Sequence, residues 1–243
     1  MMIIIDDSFA ISGFTAGNEG IWTRNEPTDL PTMDYSSLSK ELCVPFERII
    51  RPYQANASRV AIVGYEHGGS GVIKGNNLTQ TDGLVTSEKG LVLSIIAADC
   101  VPVYLADRQA EIIGLLHCSR QSLAGDLIHN GIRCMKELGA VPQRITATLG
   151  PHICSDCYEV SEEIKNEFAD SFSESEFERI FITRGEKLYL DMSKSIAVKL
   201  LREIKSSSNI NVIENCTCHG SGYYSYRRGD RGHQNLAYIM MKV

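Results

Sequence analysis

The chain has 243 residues, of which 43% are hydrophobic and 22% charged. This is the composition of a globular protein that is long enough to bury a sizeable core. Its formal net charge of −6 argues against nucleic acid as a partner, because such binding needs a basic surface. Since no apolar run approaches a membrane span and "MMIIIDDSFA" lacks the basic flank of a secretory signal, we expect a cytoplasmic protein without a membrane partner.

The first half of the chain predicts mainly strands. "MIII" indicates a strand, "NEPTDLPT" a loop with two prolines, and "DYSSLSKEL" a short helix. "RVAIVGY" indicates a further strand, and a loop rich in glycine and asparagine follows it. The apolar runs "GLVLSIIA", "VPVYLAD" and "AEIIGLLH" then predict three successive strands.

The second half alternates between helices and strands. Apolar residues on one face predict a helix with Ser119 or Ser122 as its N-cap and Gly139 as its stop. Strand "RITATLG", helix "EVSEEIKNEFADSF", exposed connection "SESEFER", helix "DMSKSIAVKLLREIK" and strand "NINVIE" follow. "YYSYRRGDRGHQNLAYIMMKV" predicts a hairpin that turns at Gly229-Asp230. Because no strict βαβ repeat is present, the pattern favours the α+β class with mixed sheets, in a single domain spanning residues 1–243.

Two residues at strand ends are candidates for chemistry. Cys100 lies in the break between two apolar runs, and His117 ends the strand "IIGLLH". A tight turn between the strands would bring them together, next to a helix N-terminus that favours anions. His117 could deprotonate Cys100 as a nucleophilic dyad, or both could bind zinc. A buried cysteine and an unconnected histidine remain the third interpretation.

The eight cysteines of a chain without an export signal indicate reduced thiols or metal ligands rather than disulfides. Cys154 and Cys157 form a C-x-x-C motif, while Cys216, Cys218 and His219 lie in "CTCH". A structural zinc site is one interpretation of these residues. Buried or unpaired thiols are the interpretation that we favour.

Three segments carry a resemblance to a known family. "TDGLVTSEKGLVLSIIAADCVPVYLAD", "LGPHICSDCYEVSEEIKNEF" and "CTCHGSGYYSYRRGD" resemble, in the same order, segments of the laccase-domain (YfiH-like) family. The likeness extends from Gln54 to the C-terminus, and the first 45 residues match weakly. It implies a YfiH-like mixed-sheet α/β sandwich. It also implies zinc-dependent purine nucleoside phosphorylase and adenosine deaminase activity, with nucleoside and phosphate as partners of a monomer or homodimer.

The resemblance also implies a set of metal ligands. Cys100 and His117 match two ligands of the family, whereas Asn56 stands where the third, a histidine, is expected. Because a neutral amide is a poor zinc ligand, we expect zinc binding to be weak or absent unless another residue substitutes. His67 is the candidate that we favour, with His219 and His233 as alternatives.

Substrate binding is expected at Asn56, Arg227 and Arg228, the two arginines matching the family's S-Y-R-R segment. An arginine fork could grip phosphate or ribose. Since adjacent strand residues point to opposite faces, only one of the two arginines would face the site. Asp82 is interpreted as a turn or capping residue.

Three functions stay open. The first is a purine nucleoside enzyme with a Cys100–His117 metal centre. The second is a metal-free Cys–His hydrolase or peptidoglycan-editing-type protein, in which Asn56 would orient His117. The third is a non-catalytic relative. Copper oxidation is the least favoured, because six histidines without a His-x-His pair are too few for a multicopper cluster.

Overall fold

The computed structural model describes residues 1–15 and 35–243; the predicted loop "NEPTDLPT" lies outside them. The described strands are β1 Met2–Asp6, β2 Ala10–Phe14, β3 Ile49–Ile50, β4 Arg59–Ile62, β5 Thr81–Thr86, β6 Val92–Ala97, β7 Val101–Asp107, β8 Ile112–Cys118, β9 Thr146–Leu149, β10 Glu159–Val160, β11 Phe181–Arg184, β12 Lys187–Leu190, β13 Ile210–Val212 and β14 Asn235–Met241. The described α-helices are α1 Ser36–Leu42, α2 Arg120–Ala124, α3 Leu127–Glu137, α4 Glu163–Phe168, α5 Glu174–Ile180 and α6 Met192–Ile204.

Two large mixed sheets pack face to face. One has the order β1-β2-β14-β6-β3, and the other has the order β13-β9-β7-β8-β5-β4. Side chains from β6 and β14 of the first sheet meet side chains from β7 and β8 of the second in one apolar layer. This arrangement confirms the predicted α+β class with mixed sheets.

Helices cover the outer faces of both sheets. α3 and α6 pack on the β13–β4 sheet, where Leu116 and Leu105 meet Ile132 and Ile196. α1 packs on the other sheet through Leu38, against β6 and β14. Because both faces are covered, β5, β6, β7, β8 and β14 are buried along their whole length, and their sequences read as continuous apolar runs.

A three-stranded sheet of order β10-β12-β11 lies beside the larger sheets. α4 and α5 pack near it through aromatic contacts, with Phe168 lying 5.7 Å from Phe181 edge-on and 5.5 Å from Phe172, measured between ring centroids. This region follows the C-x-x-C motif directly and therefore positions Tyr158 and its neighbours.

Four predicted elements differ from the structure. The helix predicted over "EVSEEIKNEFADSF" begins later, because Glu159–Val160 form β10 and only Glu163–Phe168 are helical. The helix after Ser119 is interrupted at Gly125 and forms α2 and α3. The connection "SESEFER" is instead α5, which Ser173 and Glu176 begin with a reciprocal capping box. The C-terminal hairpin has only its second strand, β14, because the segment before it is held by turns.

Within residues 1–15 and 35–243, no helix has the length and apolar character needed to cross a membrane.

Candidate active site

A cavity of about 450 Å³ opens where the C-terminal end of β6, the start of β7 and the end of β8 meet. β7 and β8 pair antiparallel, with Val101 opposite Cys118 and Pro102 opposite His117. This register brings Cys100 next to His117, as the sequence predicted. The residues that line the cavity are Gln54, Asn56, Ile96, Ala98, Asp99, Cys100, His117, Arg120, Ile153, Tyr158, Met192, Tyr226, Arg227 and Gln234.

His117 is the buried centre of a hydrogen-bonded group. Its Nδ1 lies 2.8 Å from Oδ1 of Asp82, and its side chain also hydrogen-bonds Cys100. Burial lowers the pKa of His117, but the charges and hydrogen bonds of Cys100 and Asp82 outweigh burial and raise this pKa to about 9. The imidazole is therefore cationic at neutral pH, and its second nitrogen, Nε2, is left for Cys100 or a ligand.

Asp82 is fully buried at the start of β5. Its carboxylate accepts hydrogen bonds from the backbone N–H groups of Ala55, Asn56 and Ala57, at 2.9, 3.1 and 2.8 Å. Burial raises the pKa of Asp82, but these N–H groups and His117 outweigh it, so the pKa falls below its ordinary value. Asp82 thus fixes the turn, as predicted, and it also orients His117, a role that the sequence interpretation missed.

Asp99, the neighbour of Cys100, is a structural anchor. Its backbone has a left-handed φ of 83°, and its carboxylate accepts from Thr217 Oγ1 at 2.6 Å and Ser225 Oγ at 3.0 Å. It also accepts from the backbone N–H of Arg227 at 2.7 Å. The acid and the thiol that interrupt the apolar runs therefore have different tasks, since Asp99 assembles the wall and Cys100 faces the cavity.

The structure separates the two predicted arginines. Arg227 lines the cavity, where one terminal nitrogen donates to the carbonyls of Cys157 and Glu159 at 3.1 and 3.0 Å. Its guanidinium carbon lies 5.0 Å from the centroid of the Tyr158 ring. Arg228 is not brought to the cavity, because it donates to backbone carbonyls such as Thr217 O, at 3.1 Å, and pairs with Asp230. The two lie in turns rather than in a strand, so side-chain alternation is not what separates them.

Arg120, Tyr158 and Tyr226 are among the cavity residues that the sequence interpretation missed. Tyr158 is half-buried, and burial together with the charge of Cys100 raises its pKa. Arg120 forms an ion pair with Glu167 and hydrogen-bonds Tyr158. Their position in turns or at the start of a short helix gave no periodic signal. The only clue was that Tyr158 and Tyr226 stand inside segments carrying the family resemblance, whereas Arg120 lies outside all three.

The cavity does not provide a complete zinc site. Cys100 and His117 are strong donors, and Asn56 lines the same cavity, but an amide oxygen suits harder ions. His67 lies elsewhere, at the end of a one-turn 3₁₀ helix, with Nδ1 accepting from Gly64 N at 3.2 Å and 3.0 Å from Glu66 Oε1. The donor set of the described residues therefore does not fit a three-ligand catalytic zinc ion.

The helix that begins beside His117 is also too short for the predicted anion site. α2 has five residues, and Ser119 caps it by accepting from Ser122 N at 3.1 Å. The predicted N-cap is thus confirmed at Ser119, but one and a half turns carry little macrodipole.

A second group of potential ligands lies outside the cavity. Cys154, Cys157, Cys216 and His219 each direct one ligand atom to a common point, and these atoms lie within 4.8 Å of one another. These four residues could hold a metal ion. The fold gathers these residues across about 60 residues of chain, and their cysteines are free thiols, so unpaired thiols and a structural zinc site both stay predictions.

Comparison with known proteins places these features in context. Residues 12–242 match the family described as "Multi-copper polyphenol oxidoreductase laccase". A purine nucleoside phosphorylase of Streptomyces coelicolor is 34% identical over 202 residues, which are 82% of this chain and 77% of that protein. An adenosine deaminase from an unknown prokaryotic organism is 28% identical over 198 residues, 79% of this chain and 74% of that protein.

The fold itself has a close counterpart among crystal structures. The hypothetical protein YfiH of Bacillus licheniformis aligns with a TM-score of 0.86 over 99% of both chains, at 22% sequence identity. The two chains share one fold, as the resemblance implied.

Proposed function

Because the chain belongs to the multi-copper polyphenol oxidoreductase laccase family, we propose that it is an enzyme of purine nucleosides that cleaves their glycosidic bond with phosphate. Relatives named purine nucleoside phosphorylase support the reaction class. The observation that carries the proposal is the cavity, whose volume of about 450 Å³ lies in the range of small-molecule sites. Cationic, thiol and aromatic groups converge in it.

Each group suits one part of the substrate. Tyr158 and Tyr226 offer aromatic faces to a purine ring. Arg227 uses one terminal nitrogen to hold Cys157 and Glu159, so its other donors are left for a phosphate or a ribose hydroxyl. Asn56 adds an amide to the lining of the cavity, and Gln54 also lines it. Gln54 is anchored by donating to Ile96 O at 2.8 Å.

The chemistry assigned to the site is proton donation to the departing base. In phosphorolysis the bond between ribose C1′ and the purine nitrogen breaks, a phosphate oxygen bonds to C1′, and the purine gains a proton. His117, held cationic by Asp82 and Cys100, is placed to stabilise or protonate the leaving purine. Arg227 would hold the attacking phosphate. The reaction then needs no further donor or acceptor of electrons.

The test compares products with and without phosphate. Purified protein is incubated with inosine and with adenosine, and free base, ribose 1-phosphate and ammonia are followed. We expect phosphate-dependent release of base, lowered at least about 10²-fold in His117→Ala, the usual scale for losing an acid–base group. Cys43→Ser is the matched control for Cys100→Ala, because Cys43 is an exposed thiol. Equal rates for wild type and Cys100→Ala would contradict the site assignment.

A metal-free Cys–His hydrolase is the second candidate, and one observation favours it. Cys100, His117 and Asp82 follow one another in the order of a nucleophile, its imidazole partner and an orienting acid. This candidate predicts rapid alkylation of Cys100 near neutral pH that His117→Ala abolishes. It also predicts a covalent intermediate on Cys100 in mass spectra, whereas phosphorolysis predicts none.

A further inference from the structure

The four side chains that converge outside the cavity come from two short motifs. Cys154-Ser155-Asp156-Cys157 is a C-x-x-C motif, and Cys216-Thr217-Cys218-His219 is a C-x-x-H motif once Cys218 is passed over. Two such motifs, each with two intervening residues, have the spacing of structural zinc sites. Cys218, which the sequence grouped with them, does not belong to the converging set.

Two of the distances between ligand atoms, those from His219 to Cys154 and Cys157, agree with a tetrahedral ion. With Zn–S bonds of about 2.3 Å and Zn–N bonds of about 2.0 Å, tetrahedral angles place sulfur and nitrogen about 3.6 Å apart. His219 Nδ1 lies 3.3 Å from Cys157 Sγ and 3.7 Å from Cys154 Sγ. All four cysteines of this region are free thiols, and three thiolates with one imidazole form a donor set that selects zinc over harder ions.

The backbone around the motifs is shaped for this purpose. Cys157 N–H donates to Cys154 O at 3.1 Å, and Gly220 N–H donates to Cys216 O at 3.0 Å, so each motif is wound into a tight turn. A Cβ on Gly220 would lie 2.2 Å from Cys216 O, so no other residue closes this turn without a shift. The Cys154 N–H donates to Cys216 Sγ at 3.3 Å, an arrangement that stabilises a thiolate ligand.

We propose that Cys154, Cys157, Cys216 and His219 form a structural zinc site that clamps the wall of the cavity and is separate from Cys100 and His117. The proposal is independent of the reaction proposed above, because it rests on residues that do not line the cavity.

The proposed zinc site lies between two segments of the cavity wall. Cys157 precedes Tyr158, and its carbonyl accepts from Arg227 at 3.1 Å. Cys216 precedes Thr217, whose hydroxyl donates to Asp99, the neighbour of Cys100, at 2.6 Å. An ion that joins the two motifs would therefore fix two segments of the cavity wall that are about 60 residues apart in the sequence, and its loss would loosen both.

The first measurement is metal content in a protein without the cavity donors. In the Cys100→Ala/His117→Ala double variant, we expect about one zinc per chain after purification without added metal. Adding Cys157→Ser to this background should abolish the zinc, whereas adding Cys218→Ser, the matched control, should leave it unchanged. The proposal is overturned if the double variant lacks zinc, or if Cys157→Ser and Cys218→Ser retain equal amounts.

The second measurement serves if Cys157→Ser does not fold. Titration of the wild-type chain with an organomercurial should release zinc in proportion to thiols modified, and replacement by cobalt should give thiolate-to-cobalt charge-transfer absorption. A chelator should lower the midpoint of thermal unfolding of wild type and of Cys218→Ser by several degrees. Metal-free protein with a Cys154–Cys157 disulfide in its unreduced mass spectrum would overturn the proposal.

Discussion

At the scale of single residues, Asp82 links the backbone to the candidate chemistry. The Asp82 carboxylate accepts hydrogen bonds from the backbone N–H groups of Ala55, Asn56 and Ala57. It also hydrogen-bonds the ring of His117. A neutral amide in its place would keep the shape but remove one of the two groups, Cys100 and Asp82, that raise the pKa of His117. The tautomer and orientation of the ring depend on the same contact.

We therefore predict that Asp82→Asn lowers kcat/KM for nucleoside phosphorolysis by about 10²-fold, with a smaller loss of thermal stability. Steady-state kinetics and thermal unfolding measure the two effects separately. Asp170→Asn is the control, since Asp170 is an exposed acid. An unchanged kcat/KM in Asp82→Asn would show that His117 needs no orienting acid.

A second buried carboxylate, Asp107, has a purely structural task. It ends β7 and accepts from the N–H groups of Gln109, Ala110 and Val141, at 3.1, 3.2 and 2.9 Å, and from Arg144 at 3.0 Å. Burial raises the pKa of Asp107, but these donors outweigh it and hold the pKa below its ordinary value of 3.8.

The sign of the pH dependence follows from this lowered pKa. The ionised carboxylate stabilises the fold fully above about pH 5, and this stabilisation is lost as the pH falls through the pKa of the folded state. We expect Asp107→Asn to lower the free energy of unfolding by about 1–3 kcal/mol at pH 7. Urea unfolding at pH 7 and pH 3.5 should show the difference from wild type shrinking at the lower pH. A difference that grows on acidification would contradict this account.

At the scale of elements, the break between α2 and α3 is set by close packing. A Cβ on Gly125 would lie 2.3 Å from Ser58 Oγ, and Ser58 in turn accepts from Asp126 N and Asn130 Nδ2 at 3.1 and 2.9 Å. Ser58 directly follows the turn that Asp82 holds. The helix break and the cavity turn are thus packed against each other.

Gly125→Ala should consequently lower stability by about 1–3 kcal/mol, the usual cost of overpacking. Because Ser58→Gly removes the clashing atom, the double variant Ser58→Gly/Gly125→Ala should lose less than the sum of the two single changes. Urea unfolding of the four proteins measures this coupling. Strict additivity would mean that the clash is relieved elsewhere.

Elements with strong local signals were predictable and others were not. β6, β7 and β8 are continuous apolar runs, and α6 has its apolar residues on one face, so pattern alone identified them. α5 was missed because three of its seven residues are glutamates and most of its side chains are exposed or half-buried, which resembles a loop. The first strand of the predicted C-terminal hairpin is wrong, because Ser225 and Arg227 donate hydrogen bonds to Asp99, which is distant in the sequence.

At the scale of the whole molecule, the two large sheets are joined by a polar contact inside an apolar layer. Tyr104 on β7 donates its hydroxyl to Gly13 O on β2, across the layer, at 2.8 Å. Tyr238 on β14 is equally buried, but its hydroxyl has no hydrogen-bond partner among the described residues. The two tyrosines are therefore a matched pair.

We predict that Tyr104→Phe destabilises the chain by about 1–2 kcal/mol, since it leaves a buried carbonyl without this donor. Tyr238→Phe removes an unsatisfied hydroxyl and should be neutral or stabilising. Thermal and urea unfolding distinguish the two. Equal losses in both variants would mean that the hydroxyl of Tyr104 does not join the sheets.

The site was only partly predictable because its parts meet through the fold rather than through local sequence. Cys100 and His117 were accessible, since one turn joins their strands. Tyr158 and Arg120 reach the cavity, and Asp82 reaches His117, from three separate segments, and no spacing rule relates these segments. For the same reason the sequence offered a joint site of Cys154, Cys157, Cys216 and His219 only as one interpretation, since no local pattern shows that the two motifs meet.

The strand order of the first sheet bears on how the protein is made. β14, the last strand of the described chain, lies in the middle of that sheet, between β2 from the N-terminus and β6. During synthesis both neighbours leave the ribosome long before it and keep unpaired edges until it arrives. Such long-range pairing slows folding and exposes the nascent chain to aggregation, so this sheet closes only after β14 has been synthesised.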